Sequence, residues 1–439
     1  MAETAEIVII GAGIIGCSLA YHLALQGASK VVVLEKDLIC SGSTGKSAGG
    51  IRQQFATELN IALSLESLRM FRRMPEELGI DPGFHQVGYL FLASTPAEMA
   101  LFRSNVELQQ RFGIPVQLLA TEEIRKLVPY LRLDQILGAA YCPTDGYAAP
   151  YEVTMGYAAA SRRLGVKIHE QRAVTGILRQ GARAWGVETV SGPIHAPAVV
   201  NAAGAYAGLV GELAGVQVPV LPYRRQLFTT GPLAEFAVEP PLTIDYHRNW
   251  YFRGELGGCL LSGPKDEAST FNTNVDWEHV AESVEQALVR LPILAEAEIH
   301  RGWAGLYEIS PDSNAILGPV PELEGFFVAG GHSGHGFQHG PVAGKLMAEL
   351  MLTGTSSIDI SALSIDRFRT GKVVREPMTA HRAGDSTHGG GRERWRNGIR
   401  LHGSSSRPAK PTRTSSMRRV SWRPTRSSFF SPRRARRFS

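Results

Sequence analysis

Cysteine is scarce in this chain of 439 residues, and its four copies, Cys17, Cys40, Cys142 and Cys259, lie far apart. No two have the short spacing of a zinc site and no set resembles a disulfide framework, so neither a structural metal nor a stapled secreted fold is expected. A reducing cytoplasm is the compartment this implies. Long apolar runs are missing too. None reaches the roughly 18–20 residues that crossing a bilayer requires, so no membrane span is expected. A basic leader segment is also not in view, because the apolar stretch from Ile7 to Ile10 follows the acidic Glu3 and Glu6.

What is present fits a folded enzyme: 44% hydrophobic and 20% charged residues, with enough length for two or three domains. The net charge of +5 is unevenly spread. Residues 383–439 hold fourteen Arg and one Lys against Asp385 and Glu393, a net of +13 that leaves the preceding 382 residues at about −8. This Arg-, Ser- and Pro-rich tail shows neither helical nor strand periodicity and cannot bury enough apolar surface to order itself. Two readings of it stand. The favoured one is out-of-frame translation of GC-rich DNA after a complete fold; the other is a nucleic-acid-binding arm that neutralises phosphates.

The body alternates strand-like and helix-like segments, an α/β pattern. EIVIIGAGIIG at 6–16 is an apolar run entering a glycine turn, CSLAYHLALQG has helical spacing, and VVVLEK at 31–36 is a second buried strand. Helices are predicted over 57–78, 96–112, 151–164, 277–290 and 340–352, and strands over 185–190, 198–201 and 325–330. The stretch 220–262, rich in β-branched and aromatic residues, predicts a largely antiparallel sheet.

Gly11, Gly13 and Gly16 stand between the first strand and the first helix. They permit a tight turn, close approach of backbone to a pyrophosphate, and close helix–strand packing, respectively. Ile14 and Ile15 complete the turn, where exposed amides and the helix dipole favour an anion. Glu35, followed by Lys36, ends the second strand where a carboxylate can accept hydrogen bonds from ribose hydroxyls. Its charge argues against a 2′-phosphate and so against NADP. These features together mark a dinucleotide site but do not separate NAD from FAD.

Four further stretches carry a resemblance: CSGSTGKSAGGIRQQF at 40–55, VVNAAGAYAG at 199–208, GWAGLYEISPDSNAILG at 302–318 and GGHSGHGFQHGP at 330–341. Together they resemble D-amino-acid-oxidase-type flavoproteins, in the branch of sarcosine oxidase, its β-subunit relatives and dimethylglycine dehydrogenase. The resemblance covers roughly residues 5–380. It implies FAD as cofactor, cradled by Ser43, Thr44, Lys46, Ser47 and Gly50, with Ala203, Gly204 and Gly305 nearby. The turn of Gly331, His332, Ser333, Gly334, His335 and Gly336 is implied at the flavin's N1–C2=O edge, where amides would stabilise the reduced state.

The resemblance also implies oxidation of a C–N bond, by hydride transfer to flavin N5 followed by hydrolysis of the imine. An amino-acid substrate needs a cation for its carboxylate, and Arg52 matches the family's clamp. Tyr251 and Tyr307 match active-site tyrosines, His335 is a candidate contact, and Lys265 matches a family histidine. Three departures matter. Gly305 stands where monomeric sarcosine oxidases carry the flavin-linking Cys, and Lys46 where dimethylglycine dehydrogenases carry a linking His, so noncovalent FAD is expected. Gln338 replaces a second carboxylate-binding Lys. Leu261 aligns with the Lys that promotes oxygen reactivity, which favours a dehydrogenase using another acceptor, through a possible partner subunit or acceptor protein.

The expected architecture is a Rossmann-like doubly wound FAD domain, from residues 5–82, 145–218 and 302–382, with a largely antiparallel-sheet substrate domain from 83–144 and 219–301. The alternative function left open is a non-catalytic flavoprotein subunit or assembly factor of a redox complex.

Overall fold

The computed structural model describes residues 3–378 apart from 266, 267, 279 and 374. The basic tail therefore lies outside the described residues.

Two sheets organise the body. A six-stranded sheet has the order Ile316–Pro319, Phe326–Gly330, Ala198–Asn201, Ile7–Ile10, Val31–Leu34, Lys167–His169. All its pairings are parallel except the Ile316–Pro319 edge. The central strands IVII and VVVL are buried at every residue, as parallel strands covered on both faces must be. On one face the helix Ile14–Leu25 packs against Pro150–Arg163 and Gly336–Thr353. The other face meets a four-stranded sheet built from Glu3–Thr4, Ile194–His195, Arg183–Thr189 and Val174–Gln180.

The second sheet has eight strands, in the order Ile299–Ile309, Leu221–Pro232, Gly258–Lys265, Trp250–Glu255, Leu242–Asp245, Tyr89–Ala93, Gly138–Cys142, Gln117–Leu119. Its pairings are antiparallel except Leu242–Asp245 with Tyr89–Ala93. One face, with Leu90, Phe228, Phe252 and Leu261, packs on helix Val280–Arg290. Tyr89, Phe91, Ile244 and Tyr251 point to the opposite face, where a large cavity opens.

Two expectations are corrected. Strand Ile299–Ile309 runs in the eight-stranded sheet beside Leu221–Pro232, so the break expected at 302 falls inside a strand. The last long helix starts at Gly336, not near Gly340, and continues through Pro341. Burial of Gln338 and His339, both hydrogen-bonded, outweighs the helix-breaking preference of the Gly-Pro pair.

Candidate active site

A cavity of about 1070 Å³ runs from the glycine turn to the face of the eight-stranded sheet. This is slightly more than the ~300–1,000 Å³ typical of small-molecule sites. Its size suits a dinucleotide with a small substrate beside it.

At the glycine-turn end, Gly11 adopts φ +108, and a Cβ there would lie 2.5 Å from the Ala202 carbonyl oxygen. Only glycine lets the strand turn into the helix at this closeness. Gly13, Ile14 and Ile15 line the cavity at the start of a helix that has no side-chain cap. The positive end of its dipole therefore faces the space where a pyrophosphate would sit. Thr44 Oγ1 accepts from the Ile14 amide at 3.2 Å, and Ser43 donates to the Leu306 carbonyl at 2.6 Å. These bonds draw the early loop over the turn. Glu35 also lines the cavity, with Oε2 accepting from the Ala12 amide at 2.9 Å and Oε1 from the Asp37 amide at 2.9 Å. Lys36 pairs with Asp37 and lies 4.8 Å from the Tyr206 ring. Lys46, Ser47, Gly50, Ala203, Gly204 and Gly305 join the same lining.

Gly16 has the packing role expected of it, while two residues of the later glycine turn lie off the cavity. Gly16 does not line the cavity; a Cβ there would strike the Gly11 carbonyl oxygen at 1.9 Å, so its role is packing. Gly331 and His332 are behind the loop, with His332 Nδ1 3.3 Å from Glu308 Oε1, while Ser333 through Gly336 face the cavity. The turn's left-handed residues, Gly331, Ser333 and Gly334, alternate its sides and bury His332.

At the sheet end the structure brings Arg52, Tyr251, Tyr307, His335 and Gln338 together. The Arg52 guanidinium is buried over the Phe55 ring at 3.9 Å. It donates to the carbonyls of Gln54 and Met378 and makes no ion pair among the described residues. Burial raises the phenols of both Tyr251 and Tyr307, so they stay protonated near neutrality. His335 has no hydrogen-bond partner on either ring nitrogen among the described residues. Burial, then His339, His332 and Arg52, holds its imidazole well below the ordinary range, hence neutral.

Gln338 is not a substitute cation for substrate. Its Oε1 accepts from the Arg52 amide at 3.0 Å, while Nε2 donates to the Arg52 carbonyl and to Ser64 Oγ. It grips the backbone of Arg52. Lys265 is absent from the main lining. It occupies a small separate space with Arg225, Tyr251 and Tyr307, donating to the Asn249 carbonyl. Burial, then Arg225, pushes its amine down to about 7. A register shift between the pairs Arg225↔Lys265 and Leu227↔Ser262 inserts one extra residue on the Lys265 strand and re-aims it. Leu261 faces the opposite core beside Phe252. Ser262, whose Oγ accepts from the Tyr251 amide, lines the small space with Lys265.

Sequence reasoning missed Tyr89, Phe91, Arg225, Met378 and Asp145. The first two alternate in YLFLA and were legible by period 2. Arg225 stacks near Tyr307 at 5.3 Å. Asp145 is fully buried and accepts from the Gln53 amide and from the side chains of Gln53 and Gln54. Burial raises it to about 6 against those donors.

Gly305 and Lys46 meet directly: a Cβ on Gly305 would lie 2.6 Å from Lys46 Cβ. The two positions that the resemblance marks for a flavin link are thus a glycine and a lysine in contact.

Comparison with known proteins agrees with this geometry. Residues 6–350 match the family described as FAD dependent oxidoreductase (DAO). The chain is 32% identical over 406 residues to mitochondrial dimethylglycine dehydrogenase of Rattus norvegicus, covering 88% of this chain and 47% of that protein. It is 31% identical to mitochondrial sarcosine dehydrogenase of Homo sapiens, covering 83% and 42%. The chain thus spans about half the length of these curated relatives. Among solved structures, L-proline dehydrogenase from P. horikoshii superposes with a TM-score of 0.80 at 34% identity, covering 85% of this chain and all of that one. No described helix is long and apolar enough to cross a membrane. The glycine turn, the loop above it and these matches lead to one conclusion: the chain belongs to the DAO family of FAD-dependent oxidoreductases and has FAD as its cofactor.

Proposed function

We propose that the chain oxidises the C–N bond of an amino acid or secondary amine of the sarcosine, N-methyl amino acid or proline type. The carrying observation is Arg52, a buried guanidinium in the cavity with no carboxylate partner among the described residues. A desolvated cation of this kind favours a carboxylate ligand through charge-assisted hydrogen bonds. When bound, FAD supplies the hydride acceptor, and the imine released is hydrolysed by water. Arg52 holds the carboxylate, and the neutral Tyr251 and Tyr307 border the amine. Neutral His335 adds no competing charge, and Gln338 acts as a positioning residue on Arg52. FAD is held noncovalently through the Gly11–Ile15 turn, Glu35 and the 43–50 loop.

A dehydrogenase is favoured over an oxidase, because Leu261, aligned with the lysine that promotes oxygen reactivity, faces the opposite core. Electrons then pass to another acceptor or a partner subunit in the cytoplasm. The names of the relatives, which mention dimethylglycine, sarcosine and proline, support the substrate class. Anaerobic mixing with a panel of amino acids and N-methyl amino acids is expected to bleach the flavin band. A panel that leaves the band intact overturns the proposal. The alternative, a flavoprotein subunit without turnover of its own, fails if the purified chain reduces a dye acceptor with any of these substrates.

A further inference from the structure

The far C-terminal end of the described chain contributes to the substrate end of the cavity. Glu376 is 3% exposed, and its carboxylate accepts from the Ala56 amide, Thr57 Oγ1, Asn60 Nδ2 and the Met378 amide, all within 3.0–3.2 Å. A buried carboxylate is tolerable only when so many donors surround it. Glu376 therefore latches this segment to residues 56–60, which directly follow the Arg52 loop. Tyr246, on the loop after strand Leu242–Asp245, donates its hydroxyl to the Pro377 carbonyl at 2.9 Å. Beyond these anchors Met378 is 3% exposed, and its carbonyl accepts from Arg52 Nη2 at 2.9 Å. Its side chain packs in the cluster of Phe55, Tyr89, Phe91 and Leu242, and it lines the cavity together with Ile244 and Tyr251.

We infer that residues 376–378 form a latched wall of the substrate pocket and that Met378 is a specificity-determining residue. It limits the size of the group carried on the substrate nitrogen. The inference rests on the proposed C–N oxidation with Arg52 as carboxylate clamp. Met378 touches Arg52 through its carbonyl and the apolar lining through its side chain. A substrate whose carboxylate sits on Arg52 and whose amine lies beside Tyr251 thus presents its nitrogen substituent toward this wall. A thioether chain is flexible and polarisable, which suits a surface packed against small alkyl groups.

The test uses the full-length holoenzyme. Anaerobic perturbation of the flavin spectrum is titrated with sarcosine, N-propylglycine and N-benzylglycine. Met378→Ala is expected to improve binding of N-benzylglycine relative to sarcosine by roughly tenfold or more, as enlarging an apolar pocket does. Met378→Leu is expected to keep the parent order. Met378→Phe is expected to shift the ratio about tenfold the other way, so the question is answered even if one variant fails to retain FAD. Unchanged ratios in the variants that retain FAD, with a parent that does respond, overturn the inference alone. A parent that responds to none of the three overturns the inference, and one that is silent on the whole amino-acid panel overturns the C–N oxidation reading as well.

Discussion

Removing the Gln338 amide tests whether the substrate clamp depends on a side chain that never needs to touch substrate. Gln338 satisfies the amide and the carbonyl of Arg52 together, through Oε1 and Nε2. Gln338→Met keeps the volume and deletes both bonds. Each buried backbone group left without a partner costs about 1–3 kcal/mol, so the pair amounts to about 2–6 kcal/mol. Against a total stability of about 5–15 kcal/mol this is a large fraction. At 2–4 °C per kcal/mol for larger domains, the thermal midpoint should fall by about 5–20 °C at fixed FAD concentration.

Gln338→Lys sharpens the test. A lysine can donate to the Arg52 carbonyl but cannot accept from its amide, and it brings a like charge beside a buried guanidinium. It should destabilise the protein and weaken binding of amino carboxylates, measured by flavin spectral titration. A midpoint unchanged in Gln338→Met refutes the reasoning. So does tighter carboxylate binding in Gln338→Lys, since that would mean the position still serves as a second substrate cation.

Gly11→Ala should yield protein without FAD, because the added carbon would lie 2.5 Å from the Ala202 carbonyl oxygen at φ +108; the ratio of flavin to protein absorbance reads this directly. Acid precipitation should leave all the flavin in the supernatant, and a yellow pellet would contradict noncovalent binding at the Gly305–Lys46 contact. The Asp145 carboxyl is raised to about 6 from 3.8, so its neutral form favours folding. That contribution is complete below about pH 4 and is lost as pH rises through about 6. Asp145→Asn should remove this slope from urea midpoints measured between pH 4 and 7, and an unchanged slope would count against it. Lys265 is lowered to about 7 from 10.5, so its contribution is present above the ordinary lysine value and is lost as pH falls through about 7. Lys265→Met should therefore gain stability on the parent at pH 6.5 more than at pH 10; equal differences would refute this.

The glycine-turn end of the cavity was largely legible in the sequence because it is built from backbone and from local spacing. Gly11, Gly13 and Glu35 lie within one βαβ unit, and their roles follow from turn geometry and the end of a strand. Even there, His332 does not face the cavity. A motif identifies a turn, but it does not say which side of the turn each residue faces, and His332, flanked by left-handed Gly331 and Ser333, is buried behind it. Lys265 lies off the main cavity for a related reason. One inserted residue in strand Gly258–Lys265 decides which side chains face Tyr251, and no local pattern announces it.

The substrate end was less legible because its contacts join residues hundreds of positions apart. Gln338 reaches Arg52 across 286 residues, and Glu376 reaches Ala56 across 320. Each contact spends a polar side chain on another residue's backbone, a use that residue type alone does not signal. The same feature bears on function. Where backbone makes the site, as at the glycine turn, side chains can change with little effect on the ligand held. Where side chains hold one another, as around Arg52, a single exchange at 338 or 378 alters what the clamp can accept. Differences in substrate among chains sharing this cofactor site should therefore map to residues that contact Arg52 and to the latched segment behind it. They should not map to the turn that holds the dinucleotide.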